Sequence, residues 1–132
     1  FEYRKPPHFE YRTGMLNFSV VGRGASPPPR LYYSEWDEMK KERYDIVKEF
    51  NKLFKKKYGI EALAGGQISL DIQAIGKDKG QIIDHLDYEN YVFFGDKCSK
   101  NGNDFSLYKR LEEKWHVKDY QQTFSILRNN LS

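Results

Sequence analysis

Apolar positions along the chain change period twice. Near the start, His8 to Tyr11 and then Met15-Leu-Asn-Phe-Ser-Val-Val21 have strand-like composition and flank Thr13-Gly14. Aromatic and β-branched residues on either side of a glycine turn predict two strands joined as a hairpin. From Tyr33 to Tyr58 the period becomes helical, with Trp36, Met39, Tyr44, Val47, Phe50, Leu53 and Phe54 set among lysines and glutamates. Ser34, with Asp37 three residues on, predicts an N-cap close to a capping box. Lys55-Lys-Lys57 and Gly59 predict the helix end, with cations at the negative pole of the dipole and glycine just beyond. Alternation then returns. Ile60 to Ala64 predicts a short strand, Gly65-Gly66 a turn, and Gln67-Ile-Ser-Leu-Asp-Ile-Gln73 a strand with Ile68, Leu70 and Ile72 on one face. Its other face carries Gln67, Ser69, Asp71 and Gln73. Such a polar row usually faces water; under a second lobe, Ser69 and Asp71 become a hydrogen-bonding pair for a sugar.

The remaining segments are shorter. Gly22 to Arg30 predicts a loop, because three consecutive prolines supply no ladder hydrogen bonds. Gly76-Lys-Asp-Lys-Gly80 predicts a loop into a helix at 81–86, with 87–90 connecting onward. Tyr91-Val-Phe-Phe94 predicts a buried strand, and Gly95-Asp96 a sharp exit from it. A helix is expected over 105–113, a short strand at His116-Val-Lys118, and a terminal helix over 120–131. The tetrapeptide Phe-Glu-Tyr-Arg occurs at 1–4 and again at 9–12. One repeated tetrapeptide argues for two extended pieces around a proline turn, not for a repeat architecture.

Composition narrows the classes. At 132 residues the chain suits one ordinary domain or two partial lobes, and 16% aromatic residues can build a core. The net charge of +3 suits a phosphorylated small molecule as well as nucleic acid. The single cysteine, Cys98, excludes an internal disulfide and fits a reducing compartment. No apolar run approaches the roughly 20 residues that span a bilayer, and no signal peptide is visible. The basic run at 55–57 lacks the aromatic platform that single-stranded nucleic acid uses, so it reads as a solvated helix end.

The candidate chemistry is phosphate chemistry. Arg12, Arg23 and Arg30 follow one another through the hairpin and the Pro-rich segment, and guanidinium forks match phosphate oxygens. Read singly, they are surface arginines. Lys79 can neutralise a transferring phosphoryl group. Asp96 and Asp104 flank a Gly-containing loop after the Tyr91 strand, where a hard cation such as Mg²⁺ finds oxygen ligands. The plainer reading there is a turn with two solvated acids. His8, His85 and His116 have no metal-ligand spacing and Cys98 has no CxxC partner, so zinc is not indicated. Walker A, HExxH and GxSxG motifs are absent.

Several of these pieces together resemble a known family. Phe9-Glu-Tyr-Arg-Thr-Gly-Met-Leu-Asn17, Gly22-Arg23 with Arg30 seven positions on, Gly65-Gly-Gln-Ile-Ser-Leu-Asp71, Asp78-Lys79 and Phe93-Phe-Gly-Asp…Gly-Asn-Asp104 are collinear with eukaryotic-type phosphomannomutases of the haloacid dehalogenase superfamily. The resemblance covers residues 8–108. It implies an α/β fold: an α+β cap with an antiparallel sheet over residues 1–75, then part of a Rossmann-like core over 76–132. It also implies that Arg12, Arg23 and Arg30 hold the non-reacting phosphate. Ser69 and Asp71 would bind the sugar or its phosphate, Lys79 would steady the phosphoryl group, Asp96 would ligate Mg²⁺, and Asp104 would support the metal loop. A sugar bisphosphate primer, a cytoplasmic location, a homodimer formed through the cap, and no nucleic-acid or membrane partner complete that expectation.

Two departures accompany the resemblance. Family members carry an Asp-x-Asp motif whose first Asp is phosphorylated, and this sequence contains none. After Asp104 the family has a Thr-Asp-Pro-Arg-Thr-like run, where this chain has Tyr108-Lys-Arg-Leu-Glu-Glu-Lys114. The chain is therefore expected to represent the cap and C-terminal core of a phosphomannomutase, inactive by itself. The alternative is a non-catalytic sugar-phosphate-binding or structural subunit derived from one.

Overall fold

The computed structural model describes residues 1–87 and 91–130. Part of the expected connector, 88–90, and Leu131 of the expected terminal helix lie outside the described residues. The expected hairpin forms as β1 (Phe9–Arg12) and β2 (Met15–Ser19), closed by Gly14 at φ 77°. With β3 (Ile60–Gly65) and β4 (Ser69–Ala74) it builds a four-stranded antiparallel sheet in the order β1-β2-β4-β3. Because side chains alternate along each strand, the register sorts the sheet into an apolar and a polar face. Phe18, Leu70 and Ala64 share one row of the apolar face; Leu16, Ile72 and Ala62 share the next.

Two helices cover that face, where one had been expected. The prolines do not lie in a loop: Pro27–Lys40 is α1, with Pro27, Pro28 and Pro29 in its first turn and Ser26, not Ser34, at the N-cap position. The first turn lacks intrahelical acceptors for its N–H groups, so proline loses nothing there and its fixed φ favours the helix. The helix stops at Lys41, which adopts left-handed geometry (φ 59°), and α2 (Glu42–Phe50) begins. The break is held by Asp37, which accepts from the Arg43 backbone N–H (2.9 Å) and from Arg43 Nε (2.7 Å). Arg43 Nη1 then donates to the carbonyls of Gly65 (3.2 Å) and Gly66 (2.9 Å), tying the helix junction to the β3–β4 turn. Val47 of α2 packs on Ala62, Ala64 and Leu70; Tyr33 of α1 packs on Val20, Val21 and Ile68.

After α2 a π-turn, Asn51–Lys55, precedes the short α3 (Lys56–Tyr58), and Gly59 (φ 67°) ends the helical segment as expected. The π-turn aims Asn51 at the outer edge of β3, where its amide brackets Ala62: Nδ2 donates to the carbonyl (2.9 Å) and Oδ1 accepts from the N–H (2.7 Å). One pleat further on, Ala64 donates to Asn101 O (2.8 Å) and accepts from the Asn103 N–H (2.9 Å). The edge of the sheet is thereby covered rather than left to pair with another chain.

The later segment is thinner. The expected helix at 81–86 is a 3₁₀ turn, Lys79–His85, opened by Asp78, whose carboxylate accepts from the Gly80 N–H (2.8 Å). Strand β5 is limited to Phe93–Gly95; Tyr91 and Val92 are about half exposed. The helix expected over 105–113 shortens to α4 (Phe105–Tyr108), and β6 forms at Lys114–His116, two residues earlier than expected. β5 and β6 pair in parallel across α4, a small βαβ unit. Ile83, Leu107 and Leu111 form its core, and Arg110 bridges Gly80 O (2.7 Å) and Asp84 (2.9 Å). The terminal helix, α5, covers Tyr120–Asn130.

Candidate functional site

The polar face of the sheet gathers most of the candidate residues. Its central row runs Glu10, Asn17, Asp71, Leu63; Ser19, Ser69 and Gly65 form the row on one side, and Arg12, Met15, Gln73 and Glu61 the row on the other. The row expected to meet water is largely covered: Ser69 and Gln73 are buried. Asp71 is held from two sides, accepting from Asn17 Nδ2 (2.8 Å) and from Asn103 Nδ2 (3.1 Å). Asn103 comes from the later segment, so the second part of the chain does close on this face. Gly65 permits that approach, since a Cβ there would lie 2.4 Å from Asp71 Oδ2 and 2.7 Å from Asn103 Nδ2.

At the hairpin end, Arg12 Nη2 and Arg23 Nε both meet Glu10 Oε2, at 3.0 and 2.8 Å. The Arg12 hydrogen bond, with the charge of Arg23, holds the exposed Glu10 carboxyl below the usual carboxylate range. Arg23 Nη1 also lies 3.5 Å from Ser69 Oγ. Arg30 takes a different part: its Nε donates to Ala25 O (2.8 Å) and its Nη2 to Arg23 O (2.5 Å), clamping the backbone that presents Arg23. That backbone is also pinned by the N-terminal segment, through Arg23 N–H to Pro7 O (2.7 Å). Gly22, at φ 91°, passes so close to Lys5 that a Cβ would fall 1.8 Å from its carbonyl oxygen.

From the later segment, Lys79 and Asp104 form an ion pair. Asp104 Oδ2 also accepts from the backbone N–H groups of Asp96 (3.1 Å) and Lys97 (3.0 Å). Burial opposes the charge on Asp104, but the Lys79 ammonium and these two amides outweigh it and hold its carboxyl below the usual range. A cavity of about 150 Å³ is lined by Asp71, Gln73, Lys79 and Asn103, among others. Burial, with the Asp104 and Asp96 carboxylates nearby, pushes the Cys98 thiol up to about 11 and keeps it protonated at neutral pH.

Asp96 stands apart. It follows β5 directly, at the carboxyl end of a parallel strand, with its carboxylate half exposed and Lys97 Nζ 3.9 Å away. Among the described residues no group of three or more His, Cys, Asp or Glu side chains converges as a metal cluster. Asp104 is committed to N–H donors, so one open carboxylate remains in this loop. That donor set fits a cation which keeps most of its waters and takes phosphate oxygens, as Mg²⁺ does. No helix among the described residues is long and apolar enough to cross a membrane.

Sequence reading gave no site role to Glu10, Asn17, Gln73 or Asn103. Gln73 was placed on the polar face with Ser69 and Asp71, and Asn17 carried a signal as a polar residue within an otherwise apolar strand. Glu10 and Asn103 carried none beyond their nearness to Arg12 and Asp104.

Residues 2–132 match the family described as eukaryotic phosphomannomutase. The chain is 35% identical to "Phosphomannomutase 2" of Dictyostelium discoideum over 125 residues, 91% of this chain and 50% of that protein. It is 38% identical to "Phosphomannomutase" of Schizosaccharomyces pombe over 102 residues (75% of this chain, 39% of that protein). It is 37% identical to human "Phosphomannomutase 1", also over 102 residues (75% and 38%). The chain thus spans half or less of the length of these relatives.

Proposed function

The chain belongs to the eukaryotic phosphomannomutase family, and from that premise we propose that it supplies the sugar-phosphate-binding cap and the later core segment of a phosphomannomutase. The reaction proposed is interconversion of mannose 6-phosphate and mannose 1-phosphate, with Mg²⁺ and a sugar bisphosphate primer, as an isomerase of the haloacid dehalogenase superfamily. A cytoplasmic, cap-mediated dimer feeding GDP-mannose formation is the setting that reading carries. One observation carries it: Arg12, Arg23, Ser69 and Asp71 gather on a single polar face, and Lys79 shares a cavity with Asp71 there.

The division of labour follows from geometry. Two guanidiniums converge on one carboxylate oxygen of Glu10, an arrangement that recognises an anion; a phosphate with three acceptor oxygens competes for the same forks. Arg30 positions Arg23 through its backbone with Nε and Nη2, and its Nη1 would be the atom that meets the phosphate. Asp71 and Ser69 lie deeper on the face, where neutral sugar hydroxyls need partners. Lys79, paired with Asp104 yet half exposed, presents an ammonium at the cavity. Asp96 would hold Mg²⁺, whose chemistry is to neutralise charge on phosphoryl oxygens. The chain contains no Asp-x-Asp, so its residues bind, orient and neutralise.

Calorimetric titration of the chain with mannose 1-phosphate tests this. Arg23→Ala removes a charge-assisted contact and should weaken binding about tenfold or more. Affinity equal to that of the unsubstituted chain would remove the arginine pair from the phosphate site.

A further inference from the structure

Two side-chain atoms buried on the polar face make no hydrogen bond: Asn17 Oδ1 and Gln73 Nε2. Asn17 is 3% exposed and Gln73 6%. They flank Asp71, Asn17 directly across the β2–β4 ladder and Gln73 two residues further along β4. Gln73 lines the cavity that also contains Asp71 and Lys79. Leaving a buried donor without an acceptor lowers stability, and an apolar side chain of similar length would fill this space without that penalty. The cavity that Gln73 lines is where an acceptor from outside the fold would meet the amide.

The polarity of the two orphans identifies the acceptor. Asn17 Nδ2 donates to Asp71, an acceptor-only partner, so the orphan on Asn17 is its carbonyl oxygen. One unpaired donor and one unpaired acceptor, diagonal neighbours on one face, are complementary to a group that both accepts and donates. A hydroxyl does both. A phosphate oxygen only accepts, and it would leave Asn17 Oδ1 facing another lone pair.

We infer that Gln73 is a specificity-determining binding residue, donating from Nε2 to a hydroxyl oxygen of the sugar phosphate while Asn17 Oδ1 accepts that hydroxyl's proton. The inference rests on the polar face being the sugar-phosphate site. It places the sugar ring over β4 between Asp71 and Lys79, with the phosphate toward Arg12 and Arg23.

The test titrates the chain and its Gln73→Met variant with mannose 1-phosphate and, separately, with inorganic phosphate, and records the melting temperature of each. The variant should bind mannose 1-phosphate about three- to tenfold more weakly, as loss of one neutral hydrogen bond implies. Its affinity for inorganic phosphate should not change, and its melting temperature should hold or rise. Unchanged affinity for the sugar phosphate, or equal weakening for both ligands, overturns the inference. A variant that melts lower with unaltered binding marks Gln73 as structural and overturns it too. Should the variant fail to fold, monodeoxy analogues of mannose 1-phosphate on the unsubstituted chain decide, and the inference falls if every analogue binds as the parent does. If the unsubstituted chain binds inorganic phosphate but no mannose 1-phosphate, the sugar-phosphate reading itself fails. That outcome is distinct from one in which only the Gln73 variant behaves as wild type.

Discussion

Asp37 and Asp104 are both buried carboxylates, and both are paired with a cation and with backbone N–H groups, yet they are built for different purposes. The partner of Asp37, Arg43, is as deeply buried as Asp37, each side chain being 1% exposed. Its planar fork makes further contacts to the β3–β4 turn, so the whole charge is enclosed by fixed acceptors. The partner of Asp104 is Lys79, whose side chain is 50% exposed at a cavity rim. Enclosing both charges makes a lock that sets the helix junction behind the apolar face. Enclosing only the anion leaves an ammonium anchored at its head and open to a ligand.

The largest effect should come from breaking the lock. Arg43→Met leaves Asp37 buried with no counter-charge and should destabilise the fold by about 3–5 kcal/mol in urea denaturation. Replacing both partners, Asp37→Leu with Arg43→Met, removes the uncompensated charge and should recover most of that loss. If the double variant is as unstable as the single one, the pair is not the source of the effect.

This lock also marks where the sequence stopped being legible. The strands were readable because alternation and glycine turns are local signals: β1, β2, β3 and β4 all lie within a residue or two of expectation. The helix break at Lys41 was not, because the apolar period runs on through it and its cause, Asp37 meeting Arg43 and the Gly65-Gly66 carbonyls, is tertiary. The prolines misled for the opposite reason, their loop chemistry being strong except in a helix's first turn. For the site, Arg12, Arg23, Ser69 and Asp71 could be named from residue type and resemblance. That Arg30 would grip the Arg23 carbonyl, and that Glu10 would join two arginines, depends on backbone paths no spacing records.

A smaller effect is expected at the second carboxylate. Asp104→Asn keeps the shape but loses the charge that Lys79 and the Asp96 and Lys97 amides surround. About 1–3 kcal/mol should be lost at neutral pH, the range for hydrogen bonds to a charged group. The carboxyl is held below its ordinary value near 3.8, so its contribution is complete above that value and disappears as pH falls through the lower, folded-state one. Urea midpoints of the two proteins should therefore differ at pH 7 and converge as the solution is acidified below about pH 4. A gap independent of pH would mean that shape, not charge, is what Asp104 contributes.

The smallest effect on stability belongs to Lys79→Met, and it decides whether the contrast holds. Half of the lysine side chain is in water, where solvent screens its attraction for Asp104, so the expected loss is at most about 1 kcal/mol. Asp104 keeps two amide donors on Oδ2 and loses only the partner of Oδ1, at a cavity rim, whereas Asp37 without the Arg43 guanidinium keeps a single backbone N–H in a closed interior. The acid-induced loss that Asp104 contributes should be smaller than in the unsubstituted chain and should finish at a higher pH, because its carboxyl loses its nearest cation and moves back toward its ordinary value. Mannose 1-phosphate affinity measured on the same variant separates the two roles. A lysine held for a ligand gives weaker binding with a nearly intact urea midpoint. A lysine that is only the counter-ion of Asp104 gives the reverse, and Asp104 would then be a second lock rather than an anchor.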